Sequence, residues 1–224
     1  MRPRLAVILV LVMCFGVTCG AAWADNVPVE NASFETTNTL NLSCGVPTNC
    51  LFNIGPIPDW TTAGPGQAGS WQPSTTYLNL PLPNGNVVAY SNGGTISQIL
   101  GATVHPDSTY TLSVYVGDRL DGFVANYSIA LDDGSTTLCS TPAASNGAIA
   151  PGTFAAVTLT CSTGATIAPG DLAIVLTSGG SQIDFDDVTL NVVQTPEPAS
   201  YLLLCIGLGS MVGFLRYRRT GVSS

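Results

Sequence analysis

The sequence predicts an all-β sandwich placed between an export signal and a C-terminal membrane helix, and three observations carry that prediction. Helical periodicity is nearly absent between the ends, where runs rich in Val, Ile, Thr and Tyr recur between clusters of Gly, Pro, Asn and Asp. One run, TYTLSVYVG at 109–117, alternates cleanly: Tyr110, Leu112, Val114 and Val116 share one face and Thr111, Ser113 and Tyr115 the other. Finally, each end of the chain is an apolar run flanked by arginines.

At the N-terminus, Arg2 and Arg4 precede the apolar run Leu5 to Thr18, and Ala22-Trp23-Ala24 has the small-x-small form of a signal-peptidase site. Residues 1–24 are therefore expected to be a signal peptide cleaved before Asp25. Lipidation at Cys19 is the alternative, but Thr18 is a poor residue in front of a lipidated cysteine. At the other end, Ala199 to Leu215 carries no charge and as a helix reaches about 25 Å, near the short limit for a hydrocarbon core of ~30 Å. Arg216, Arg218 and Arg219 then snorkel to the headgroups and keep the C-terminus cytoplasmic. Residues 25–194 are left as one exported body.

Within the body the expected strands are VENASFE (29–35), NVVAYS (86–91), TISQIL (95–100), TYTLSVYVG, ANYSIAL (125–131), FAAVTLTC (154–161), DLAIVLTS (171–178) and SQIDFDDVTLNVV (181–193). LDDGS at 131–135 reads as a hairpin turn in which Asp133-Gly134 supplies positive backbone angles. Residues 38–83, rich in Pro, Gly and Thr, read as long loops.

Charge excludes one partner class. Removing Glu197 from the 14 acids, and Arg2, Arg4, Arg216, Arg218 and Arg219 from the 6 bases, leaves Arg119 as the sole base and a body charge of −12. Nothing in such a body neutralises phosphates, so nucleic acid is not expected as a partner. Cys14 and Cys19 fall in the signal peptide and Cys205 in the membrane run, leaving Cys44, Cys50, Cys139 and Cys161. An even number in an exported body reads as two disulfides, most simply Cys44 with Cys50 and Cys139 with Cys161, although four cysteines permit three pairings.

Thr195-Pro196-Glu197-Pro198-Ala199-Ser200, followed at once by the apolar run and RYRR, resembles the PEP-CTERM sorting signal of Gram-negative bacteria. The resemblance covers 195–224. It implies recognition of Pro196, Glu197 and Pro198 by an exosortase-type membrane protease, and delivery to the cell surface or a biofilm matrix. The two prolines hold the tripeptide extended, as a protease requires.

The body carries a second resemblance. NASFE, IPDW, ISQIL, YTLSVYVGDR and IDFDDVTL are similar to galactose-binding-like jelly-roll domains, including carbohydrate-binding modules. The fold class this implies is a jelly-roll β-sandwich. By the same resemblance a structural calcium is held by Glu35 of the FE motif and Asp187 of the DDV motif, with Asp186 as the alternate; solvated edge-strand acids are the other reading. Calcium takes carboxylate and carbonyl oxygens, and extracellular sites work in the millimolar range.

The DFDD stretch bears on this. In an extended strand Asp184 and Asp186 lie on one face, ~6.6 Å apart, and Asp187 on the other. Apolar parity changes from Ile183 and Phe185 to Val188, Leu190 and Val192, which predicts a bulge.

Trp60, Trp71, Tyr77 and Tyr90 are candidates for stacking on sugar rings. Trp60, in IPDW, equally suits a plug for one end of the sandwich, whereas polar residues surround Trp71 and Tyr77. Arg119, flanked by Asp118 and Asp121, reads as a loop ion pair or as a polar ligand clamp. With one histidine, His105, and no G-x-S-x-G, H-E-x-x-H or phosphate loop, nucleophilic and zinc-hydrolase chemistry find no support. The expectation is a non-catalytic exported domain that binds carbohydrate or exopolysaccharide. A purely structural matrix protein is the alternative, and a glycosidase with two carboxylates ~5 to 9.5 Å apart is the third.

Overall fold

The computed structural model describes residues 23–45, 49–122, 124–134, 136–194 and 206–211. The signal peptide, residues 1–22 of it, and Pro196, Glu197 and Pro198 lie outside the described residues. Of the expected membrane run only 206–211 is described, as a helix, and among the described residues no helix is long and apolar enough to cross a membrane. Two compact units result, the body Ala24–Val193 and a unit holding both termini.

The body is a jelly-roll β-sandwich. Its strands are β1 (Trp23–Val27), β2 (Leu42–Ser43), β3 (Leu51–Phe52), β4 (Thr61–Ala63), β5 (Ala68–Gln72), β6 (Val88–Thr103), β7 (Ser108–Gly117), β8 (Asn126–Asp133), β9 (Thr136–Ser140), β10 (Ala144–Ser145), β11 (Phe154–Ser162) and β12 (Asp171–Gln194). In β7 the predicted alternation holds: Tyr110, Leu112, Val114 and Val116 are wholly buried between half-buried Thr111, Ser113 and Tyr115.

Four expected strands are in fact two. NVVAYS and TISQIL run together as β6, and DLAIVLTS and SQIDFDDVTLNVV as β12. The glycine steps that read as breaks are kinks facing one another, with a register shift between Ser178/Gln182 opposite Gly94/Asn92, and positive φ at Gly93 and Gly180. Beyond the kink each ribbon joins different neighbours. The first half of β12 lies between β6 and β8. The second half keeps β6 on one edge through Phe185, so β7, which also pairs with β12, takes the other edge. Two long strands thus serve both layers, and the inner faces meet in a core that includes Ile129, Leu131, Ile174, Leu176, Ile183 and Phe185.

Three local expectations are corrected. VENASFE is not a strand: residues 30–33 turn, with Asn31 at φ 47 and Phe34 at φ 57. The Asn31 amide donates to the Thr36 and Pro58 carbonyls, substituting for ladder bonds. The segment 38–83 contains β2 to β5, strands of two to five residues too short to show a period. In the LDDGS hairpin Asp133 pairs with Thr136, so the positive angle falls on Gly134 (φ +58), not on Asp133. The parity change in β12 occurs where predicted, at Asp187, whose φ is 46. Both expected disulfides are present, Cys44–Cys50 and Cys139–Cys161, with Cα atoms 5.5 and 5.7 Å apart.

Candidate functional site

A second apolar cluster lies on the face of β3, β5 and β6 that points away from the main core. Cys50, Trp71, Leu78, Leu82, Val88 and Tyr90 form it, and register explains the grouping. Phe52 pairs with Trp71, Trp71 with Val88, Gly69 with Tyr90, Tyr90 with Asp184 and Asn92 with Gln182. With a two-residue side-chain period, these positions share one face while Ala89, Ile183 and Phe185 turn into the core. Gly69 is needed at its place, because a Cβ there would collide with the Asn53 carbonyl. That carbonyl instead receives the Tyr90 hydroxyl at 2.8 Å. Burial pushes the Tyr90 hydroxyl up to about 12, so it stays a neutral donor.

Two loops close the face into a cleft of about 210 Å³ lined by Phe52, Gln67, Trp71, Tyr77, Tyr90, Asn92, Arg119 and Gln182, with Cys44 at its edge. Tyr77 comes from the segment after β5 and Arg119 from the β7–β8 connection. The Leu120 amide donates to the Tyr77 carbonyl at 2.8 Å and ties the two loops together. The Arg119 guanidinium carbon sits 5.0 Å from the Trp71 ring centroid and 4.8 Å from that of Tyr77. Its Nε and Nη2 donate to the Asp121 carboxylate, and Nη1 donates to Gln182 Oε1 at 2.5 Å.

Next to Gln182 on the same face of β12 lies Asp184, with no exposure. Gln182 Nε2 donates to Asp184 Oδ1 at 2.7 Å, and Oδ2 has no hydrogen-bond partner. Burial pushes this carboxyl up to about 7; the Gln182 bond and Arg119 oppose the shift, and Asp121 and Asp118 reinforce it. Asp118 is also buried, has an unpartnered Oδ1, and is raised chiefly by burial. Gly117 makes room here: a Cβ would meet the Phe154 ring at 2.8 Å and Asp184 Cβ at 3.2 Å. A buried acid poised near neutrality and hydrogen-bonded to a side chain that lines an aromatic cleft can lend and recover a proton.

The cleft gathers Trp71, Tyr77 and Arg119, but Trp71 does not come from an exposed loop. Trp71 belongs to β5 and is 3% exposed, its Nε1 directed at Cys50 Sγ at 3.3 Å. Trp60 is not in the cleft: it is 4% exposed, stands 5.1 Å from Phe34 and donates to the Asn31 carbonyl, so the core takes the ring that was a ligand candidate. Glu35, Asp186 and Asp187 meet elsewhere, around the turn at 84–87. Glu35 Oε1 accepts from the Asn86 and Val87 amides at 2.8 and 2.7 Å. Asp186, wholly buried, accepts from the Asn84 and Asp187 amides, and Asp187 Oδ1 from the Asn84 side chain. Burial pushes Asp186 up to about 7, with Asp187 and Glu35 adding to the rise. Among the described residues no three metal-ligating side chains converge on one point.

Sequence reasoning passed over Asp184 as a site residue, together with Gln182, Asn92, Gln67 and Phe52. The usable signal was parity. In SQIDF, Gln182 and Asp184 alternate with apolar Ile183 and Phe185, which puts two polar side chains on the face opposite the core.

Comparison with known proteins places these features. A family model described as HpiC1-like, HpiC1 cyclase, matches residues 25–191, and the PEP-CTERM protein-sorting motif matches residues 194–219. Among solved structures, a Stig cyclase, FisC, from Fischerella sp. TAU in complex with (3Z)-3-(1-methyl-2-pyrrolidinylidene)-3H-indole is 26% identical, with a TM-score of 0.63, over 76% of this chain and 98% of that one. A cyclase from Fischerella sp. TAU in complex with 4-(1H-indol-3-yl)butan-2-one is 24% identical, with a TM-score of 0.63, over 77% and 100%. The CBM22-1 xylan-binding domain of Paenibacillus barcinonensis Xyn10C is 15% identical, with a TM-score of 0.49, over 79% and 99%. Among curated proteins none matches. The family and its solved relatives are cyclases, so the expectation of a non-catalytic body finds no support in them.

Proposed function

Because the chain belongs to the HpiC1-like family, we propose that its body is an exported enzyme of the cyclase type, holding a small planar ligand in the aromatic cleft and protonating it from Asp184. The observation that carries this reading is the unpartnered Oδ2 of a fully buried Asp184 hydrogen-bonded to Gln182, a cleft-lining side chain. A turn of Gln182 opens Asp184 to the ligand. The proton passes to a basic atom of the substrate, bonds rearrange, and the carboxylate takes a proton back as the product forms. Such an isomerisation balances without a redox cofactor or second substrate. The aromatic walls suit an indole-like ring.

Calorimetry of the full-length chain with 4-(1H-indol-3-yl)butan-2-one, the ligand in the Fischerella cyclase structure, tests the reading. Binding that is lost or at least tenfold weaker in Trp71→Phe, and whose pH dependence near 7 vanishes in Asp184→Asn, supports it. Absence of binding in the wild-type chain sinks it.

Carbohydrate binding is the second reading, favoured by the amides of Gln67, Asn92 and Gln182 interleaved with aromatic rings in the same cleft. Oligosaccharides in the same calorimeter decide between the two. The sorting motif at 194–219 supports exosortase handling and delivery to the surface of a Gram-negative cell. At the turn 84–87, Glu35 and Asp187, with Asp186 as the alternate, offer hard oxygen donors that suit a structural calcium completed by backbone carbonyls.

A further inference from the structure

The Arg119 guanidinium is planar, charged and delocalised, and it is set against two aromatic rings. Its edges face a carboxylate, Asp121, and an amide oxygen, Gln182. These contacts form a recognition set for a planar organic cation: π faces for the charge, an anion for its N–H edge, and an acceptor for a further donor. Arg119 is the only Lys or Arg between residues 25 and 194, so the body's single strong cation lines its cleft. The cleft of about 210 Å³ is smaller than the ~300 Å³ at which small-molecule sites begin, and the guanidinium occupies its wall.

We infer that Arg119 is an internal occupant of a planar-cation site, and that the ligand carries, or gains on protonation, a delocalised cation that replaces the guanidinium between Trp71, Tyr77, Asp121 and Gln182. This rests on the small-molecule reading of the cleft and names the class of ligand it takes. The exchange requires only a side-chain rotation, because main-chain bonds from Asp118 to Thr153 and from Leu120 to Tyr77 hold the loop in place. Arg119 accordingly sets specificity: a neutral ring must displace a guanidinium without replacing its charge, whereas a planar cation with an N–H edge inherits the contacts to Trp71, Tyr77, Asp121 and Gln182.

The test uses the full-length wild-type chain, Arg119→Ala and Arg119→Lys, with two probes of matched shape, 4-aminoquinolinium and 1-methylnaphthalene, read by calorimetry. Arg119→Ala is expected to bind the cation about tenfold more tightly than wild type and the neutral ring less than threefold more tightly. Arg119→Lys, which keeps a charge but loses the planar fork, is expected to fall between them and serves if the alanine variant does not fold. Equal gains for both probes mean that Arg119 only fills space, and overturn the inference while the small-molecule cleft stands. Unchanged or weaker cation binding in both variants overturns it as well. Failure of every form to bind either probe overturns the inference and the small-molecule reading together.

Discussion

Gln182 Nε2 holds Asp184 Oδ1 at 2.7 Å while Oδ2, equally buried, has no partner. Half of this carboxyl is satisfied and half is kept for a proton. The folded value of about 7 lies above the ~3.9 of an unfolded aspartate, so between those values the folded chain binds more protons than the unfolded one. Asp184 therefore stabilises the fold fully below about pH 4, and that contribution disappears as pH rises through about 7. Asp184→Asn should remove this slope, on the order of a few kcal/mol, so that the difference in melting temperature between variant and wild type favours the variant increasingly from pH 5 to pH 8. A constant difference across that range would mean that Asp184 is not held protonated.

Trp71 should matter to folding as well as to binding. A ring 3% exposed, packed edge-on to Tyr77 at 5.8 Å between centroids, leaves a cavity when removed. Trp71→Ala is expected to cost about 3–5 kcal/mol in urea denaturation. An exposed sugar platform would give the opposite pattern, lost binding at unchanged stability.

The two disulfides should differ in weight. Cys139–Cys161 spans a sequence separation of 22 and Cys44–Cys50 one of 6, for which loop entropy predicts about 3 and about 2 kcal/mol. Removing Cys44–Cys50 should additionally weaken ligand binding, because Cys50 receives the Trp71 N–H. Paired alanine variants, compared by thermal melts and by calorimetry, separate the two effects.

At the turn 84–87, Glu35→Gln should lower stability by about 1–3 kcal/mol, since two backbone amides lose a charged acceptor. If calcium joins this site, millimolar calcium raises the melting temperature of wild type, chelator reverses the rise, and Glu35→Gln abolishes it. A wild-type melting temperature indifferent to both additions would leave the acids as a clamp on the turn and nothing more.

What the sequence determined by itself is what short-range chemistry encodes. The alternation of β7, the parity change at Asp187, the pairing of neighbouring cysteines and the sorting motif are each written in a few consecutive residues. Tertiary structure decided the rest. Whether a glycine step ends a strand or bends it depends on what lies across the sheet, and only the opposed kinks at Gly93 and Gly180 show that β6 and β12 continue into both layers. The cleft was hidden for the same reason. Phe52, Trp71, Tyr90 and the pair Gln182 and Asp184 are far apart in the chain, and strand register alone makes them neighbours. Burial then changes their chemistry: a carboxylate that reads in sequence as one of thirteen acids in the body becomes, buried beside Gln182, an acid that holds its proton near neutral pH.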